Sequence, residues 1–116
     1  MAGADLRELD LRGADFRHAD LHGANFWHSD LTGADFGRAN LEDAVLRGGL
    51  FNRASFHGAN LMRARLGASS PADGAVLNEA DFTDANLSGA DLRNVEIRVS
   101  TLEWACLCNA DVRSAD

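Results

Sequence analysis

The chain has 116 residues, a formal net charge of −7 and 11 cationic side chains, all of them arginine. That length holds one domain, roughly 100 to 150 residues being usual, and the acidity argues against a nucleic-acid or anionic-membrane surface, which requires clustered cations. No apolar run approaches the roughly 18 residues of a membrane helix. Met1 leads into Ala2-Gly3-Ala4-Asp5 with no charged, then apolar, leader. A soluble, cytoplasmic protein is expected, and two cysteines, Cys106 and Cys108, are too few for a disulfide framework.

From the first residues the chain repeats. Large apolar residues recur every five positions at Leu6, Leu11, Phe16, Leu21, Phe26 and onward to Leu66, then resume at Leu77, Phe82 and Leu87 and run to Val112. Two residues before most of them stands a small one, as at Ala14, Ala34, Ala59 and Ala90, and the residue between is usually Asp or Asn. The unit is clear in Ala14-Asp15-Phe16-Arg17-His18. On an α-helix, at about 100° per residue, a step of five would smear these side chains around the cylinder. On a straight strand an odd period would send them to alternate faces. The chain must therefore turn once per repeat, with the large residue and the Ala inside and the other three outside. Phe16, Phe36 and Phe56 are four repeats apart, which suggests four sides to a coil and one aromatic column.

These units identify the chain, over residues 4 to 116, as resembling the pentapeptide-repeat family. The resemblance implies an all-β, right-handed quadrilateral β-helix with about 20 residues per coil. Some five and a half coils at about 4.8 Å would make a single solenoid roughly 25 Å long.

Regularity fails at 67–74. Eleven residues separate Leu66 from Leu77 where two repeats would use ten, and Pro71 stands where a central Leu is due. Pro removes a ladder donor and Gly67-Ala68-Ser69-Ser70-Pro71-Ala72-Asp73-Gly74 is rich in turn residues, so a bulge or short loop is expected. Ser69, Ser70, Pro71 and Asp73 are its candidate contact residues, since binding residues favour loops on rigid scaffolds. Neither end shows a cap, and Ala115-Asp116 looks like the opening of another repeat, so the chain is read as pairing through its solenoid ends or as a segment of a longer repeat protein.

Counting four sides through the break at two repeats places Leu21, Leu41, Leu61, Phe82 and Leu102 in one column. Its outward residues include Asp20, Glu42, Asp43, Asp81, Asp84 and Glu103 against one Arg63, a formal −5. The resemblance implies a use for such a stripe, because some family members imitate DNA and occupy the DNA-binding saddle of gyrase. Trp27 and Trp104 fall at outward positions, and Trp104 with Val99 and Cys108 is a candidate oligomer contact. Cys106 and Cys108 flank an inward Leu107 and read as surface thiols. His18, His22, His28 and His57 fall in different outward columns without a nucleophile. No catalytic residue, metal site or cofactor is expected. The reading is a protein-binding module, most specifically a gyrase-directed DNA mimic, alternatively a general interaction scaffold; direct nucleic-acid or membrane binding is not expected.

Overall fold

The computed structural model describes all 116 residues. Most repeats are closed by a β-turn in which the carbonyl of the large inward residue accepts the N–H three residues on, as in Ala39 N to Phe36 O at 2.9 Å. The third residue of the turn takes φ near +60°, the mark of a type II turn. Gly13 and Gly33 suit that conformation, but His18, Val99 and Trp104 adopt it as well. Between turns one residue, the consensus Asp or Asn, is extended and forms a parallel bridge to the coil above and the coil below.

The bridges join residues 20 apart, for example Asp15 to Asp35 and Asp35 to Ser55, so four turns complete one coil. Inter-coil hydrogen bonds are regular: Phe16 N donates to Asp35 O at 2.8 Å, and Asp35 N donates to Ala14 O at 2.9 Å. The result is an all-β solenoid with four sides. Side 1 is centred on Leu6, Phe26, Leu46, Leu66, Leu92 and Val112. Side 2 follows Leu11, Leu31, Phe51, Leu77 and Ile97. Side 3 follows Phe16, Phe36, Phe56, Phe82 and Leu102, and side 4 Leu21, Leu41, Leu61, Leu87 and Leu107.

The interior is the sum of these columns and the small residues two positions before them. Phe16, Phe36, Phe56 and Phe82 stack nearly parallel, with centroids 5.1, 5.0 and 4.9 Å apart, which is close to the roughly 4.8 Å pitch of the ladder. Phe26 meets Phe36 edge-on across the interior. Each such side chain is worth about 1.5 to 3 kcal/mol when fully buried. Two corners are stitched by serines in the Ala position. Ser29 Oγ donates to Leu6 O and accepts from Leu9 N, and Ser100 Oγ donates to Leu77 O and accepts from Ala80 N.

The break takes up one side of the coil, and the expected two is corrected. Leu66 O accepts the N–H of Ala75 at 2.8 Å, the bond its turn would normally make three residues on, so six extra residues are spliced into the corner between sides 1 and 2. The bridges across it span 26 residues: Leu50 to Val76, Ser55 to Asp81, Asn60 to Asn86 and Arg65 to Asp91. Everything after the break is therefore rotated by one side from the expected register. Ser70 caps a single 3-10 turn, Pro71–Asp73, through its hydroxyl and carbonyl. The loop is pinned to the next coil by Gly67 N to Asp91 O at 2.7 Å and by Asn94 Nδ2 to Ala68 O at 2.9 Å. With extents of 30 × 28 × 23 Å the molecule is a short four-sided prism, nearly as wide as long.

Two substitutions test this account. At Gly74 an added Cβ would lie 2.2 Å from the carbonyl oxygen of Asn94, backbone that cannot step aside. Gly74→Ala is expected to destabilise the fold by about 1 to 3 kcal/mol in urea unfolding. Val99, β-branched and 87% exposed, holds φ at +60°. Val99→Gly removes a left-handed conformation worth roughly 1 to 2 kcal/mol against little lost packing, so its unfolding midpoint is expected to rise.

Candidate functional site

Position by position, the outward chemistry begins with the fold. In fourteen repeats the residue before the centre accepts, through its side-chain oxygen, the N–H of the residue after the centre. That N–H has no place in the inter-coil ladder, so Asp, Asn or, once, Ser55 supplies its partner. Nine of the 18 acidic residues serve in this way, and half of the acidity is thus structural. Where the N–H belongs to an arginine, the guanidinium folds back on the same carboxylate in a bidentate pair: Asp5–Arg7, Asp10–Arg12, Asp15–Arg17, Asp91–Arg93 and Asp111–Arg113.

The six acidic candidates do not form one stripe. Asp20, Glu42 and Asp43 lie on side 4. Asp81, Asp84 and Glu103 lie on side 3, since Asp81 bridges Ser55 and Thr101. The stripe came from carrying the count through the break at two sides. On side 4, Arg63 binds both Glu42 and Asp43, the latter at 3.0 Å, and this pairing holds the Asp43 carboxyl below its usual range. His22 stands with those two carboxylates, their ligand atoms within 4.8 Å of one another, but Arg63 already occupies the carboxylates. Side 3 is graded along its length. Asp15, Asp35, Asp81, Asp84 and Glu103 face Arg17 and Arg38, a net −3, with both arginines in the first two coils and three unpaired carboxylates in the last two.

Side 3 also holds a hollow of about 230 Å³ lined by Arg17, His18, Asp35, Gly37, Arg38, Ser55 and His57. His18 and His57, from different rows, share it. Ser55 Oγ accepts only the backbone N–H of His57, at 3.4 Å, and no imidazole reaches it, so the hollow has no nucleophile and base in contact. On side 4, Cys106 and Cys108 project together with sulfurs 2.7 Å apart. Hydrogen bonds from Cys108 and from the Ser88 hydroxyl lower Cys106 to about 7. Val99, Trp104 and Cys108 come from sides 2, 3 and 4 of one coil, so they ring it without forming a single patch. Val99 and Trp104 are its most exposed apolar side chains.

Sequence reasoning missed the middle of side 1. Three arginines have no carboxylate within 4.0 Å: Arg38, Arg47 and Arg65. Two of them share this side with Trp27, around a hollow of about 310 Å³ lined by Arg7, Asn25, Trp27, Val45, Arg47 and Arg65. A second hollow, of about 250 Å³, joins Trp27 and Arg47 to Ala68, Ser69 and Asp73, which brings the loop against the same spot. The sequence signal was there, in Val45 and Arg65 at positions that normally carry Asp or Asn.

A family model described as pentapeptide repeats, in 8 copies, matches residues 1–38, 39–67 and 75–113. The chain belongs to the pentapeptide-repeat family. The unmatched stretch between the matches, 68–74, is the loop. Members of this family are generally non-enzymatic structural or interaction proteins. Comparison with curated proteins finds no significant match.

Solved structures carry the same fold. The pentapeptide-repeat protein Rfr23 from the cyanobacterium Cyanothece is 20% identical with a TM-score of 0.74, over 99% of this chain and 84% of that one. HetL, a pentapeptide-repeat protein involved in heterocyst differentiation regulation in the cyanobacterium Nostoc, is 25% identical with a TM-score of 0.57, over 100% of this chain and 71% of its own. QnrB1, a plasmid-mediated fluoroquinolone resistance protein, is 18% identical with a TM-score of 0.55, over 99% and 84%.

The Asp–Arg pairs give this pentapeptide-repeat protein a defined acid response. The guanidinium two residues on, helped by the backbone N–H, holds Asp10, Asp15 and Asp111 at about 2. An unfolded Asp titrates near 3.9. The folded values are depressed, so the contribution is present above about pH 4 and is lost as pH falls toward 2. The thermal midpoint is expected to be flat from neutral pH down to about 5 and to drop below 4. A midpoint unchanged at pH 2 would show that the pairs add nothing.

Proposed function

We propose that the chain is a non-enzymatic protein-binding module that presents contact groups on the sides of a rigid solenoid. The observation that carries this reading is the distribution of chemistry. The interior is filled with Leu, Phe and Ala, the hollows lie at the surface with mostly polar linings, and charged groups left unpaired by the fold are held at fixed spacing on a stiff ladder. Immobilised protein should capture a defined partner from an extract of its native cell, in stoichiometric amount. Capture no better than that by an unrelated acidic protein would remove the reading.

A narrower form, action on DNA gyrase, is favoured by the fold likeness to QnrB1 and by the unpaired Asp81, Asp84 and Glu103 on side 3. Duplex DNA carries a charge about every 1.7 Å, or about three over one 5 Å coil step. Those three carboxylates match that density, but only over the length of a few phosphates. If gyrase is the partner, micromolar protein should change supercoiling or relieve its inhibition by a fluoroquinolone, and Asp81→Asn with Asp84→Asn and Glu103→Gln should abolish the effect. Identical supercoiling with and without protein, drug present or absent, would eliminate gyrase and leave the general module standing.

A further inference from the structure

On three of its six coils side 1 follows the Asp–Arg pairing rule seen elsewhere in this chain. Asp5, Asp91 and Asp111 stand before the centre, and Arg7, Arg93 and Arg113 after it fold back onto them. In the middle the rule is broken twice. Val45 replaces the carboxylate that would pair with Arg47, and one coil on, bridged to Val45, Arg65 puts a second cation where another carboxylate belongs. Both changes also give up the side-chain acceptor that closes the local N–H elsewhere. Val45 is partly compensated by burial, whereas Arg65 stands exposed with no carboxylate within reach, in a protein whose acidic side chains outnumber the basic ones 18 to 11.

We propose that the middle of side 1 is a docking site for an acidic segment of a partner protein, its carboxylates on Arg47 and Arg65 and an apolar side chain against Trp27 and Val45. The proposal rests on the reading of the chain as a protein-binding module and names one of its contact surfaces. Charge complementarity selects the occupant. Side 1 is the least acidic, its ladder carrying five arginines against Asp5, Glu8, Asp91 and Asp111, with Asp73 of the loop bringing it to neutral where the other three sides are net negative. Guanidinium forks match carboxylates bidentately. Trp27, 37% exposed and set edge-on against His28, offers a flat apolar surface between the rows of Arg7 and Arg47. Asp73 of the loop lines the second hollow, which shares Trp27 and Arg47 with the first, without pairing with Arg47. Together with the net charge of −7 it disfavours a polyanion such as nucleic acid and favours a short segment with one or two acids.

The test uses the intact protein and an array of peptides about twelve residues long, an ordinary size for a groove-bound segment. Each carries Asp or Glu around Phe, Leu or Trp and is paired with a copy bearing Asn or Gln for the acids. Oligothymidylate and inorganic phosphate are run beside them. Acidic members should bind and their amide copies should not, and Arg47→Ser with Arg65→Ser should weaken binding at least about tenfold. Val45→Asp is the decisive variant. It restores the consensus acceptor and a partner for Arg47 in exchange for the burial of Val45, so a cooperative thermal transition should be kept while binding is lost. Equal binding of acidic and amide peptides, or wild-type binding by Val45→Asp, overturns the site. Preference for oligothymidylate, or binding of phosphate alone, overturns the class of partner. If no acidic peptide binds while the protein still captures a partner from extract, this site falls and the protein-binding reading survives.

Discussion

Register between coils is the constraint on which this molecule depends. Each side is bridged through one residue per coil, and the N–H and C=O groups around it are committed to the coils above and below. With so short an extended segment, a side has no strand of its own to stabilise it, and an isolated coil would leave most of its backbone unpaired. Stacking in register therefore supplies both the hydrogen bonds and the core. It also fixes the surface, because every outward residue sits about 4.8 Å from its counterpart in the next coil. The parallel Phe16, Phe36, Phe56 and Phe82 rings are the same constraint seen from inside.

The six-residue insertion shows how strict the constraint is. A loop placed within a side would break a bridge. This one enters at a corner, where the only bond to be kept is the one to Leu66 O, and Ala75 makes it. Lengthening the closed turn by six residues adds only about 1 kcal/mol in chain entropy, and much of that is offset by the hydrogen bonds of Gly67 and Ala68 to Asp91, Arg93 and Asn94 of the next coil. All four ladders continue across it with an offset of 26 in place of 20.

The solenoid was legible in the sequence because a five-residue apolar period fits neither helix nor strand, and a family resemblance followed from the same residues. The path through the break was not legible by counting, since eleven residues can be divided as two sides plus one residue or as one side plus six. Packing decides between them, and the size of the rings was the available clue: Phe82 continues a column of Phe16, Phe36 and Phe56, whereas the expected register set it upon Leu61. That single ambiguity displaced Asp81, Asp84 and Glu103 from side 4 to side 3 and dissolved the acidic stripe. The meeting of Trp27 with the loop was equally invisible, because it depends on which corner the insertion leaves from.

Net charge misleads in such a protein for a physical reason. Half of the acidic residues close backbone N–H groups, and five of them also neutralise an arginine two residues away. A consensus Asp therefore carries little information about a partner, however many there are. Information lies where the consensus is abandoned at some loss to the fold. Contacts in a solenoid reach only to adjacent coils, so a departure at one coil leaves the others undisturbed, and the surface can change one residue at a time. Val45 and Arg65 are departures of this kind, adjacent on one side and beside the one insertion. Glu42 and Asp43 add acid as well, but Arg63 pairs with both of them within the fold. A charge that the fold has already paired has little left to offer a partner, and among the groups that remain unpaired on this ladder are Arg47 and Arg65 on side 1 and the carboxylates at the far end of side 3.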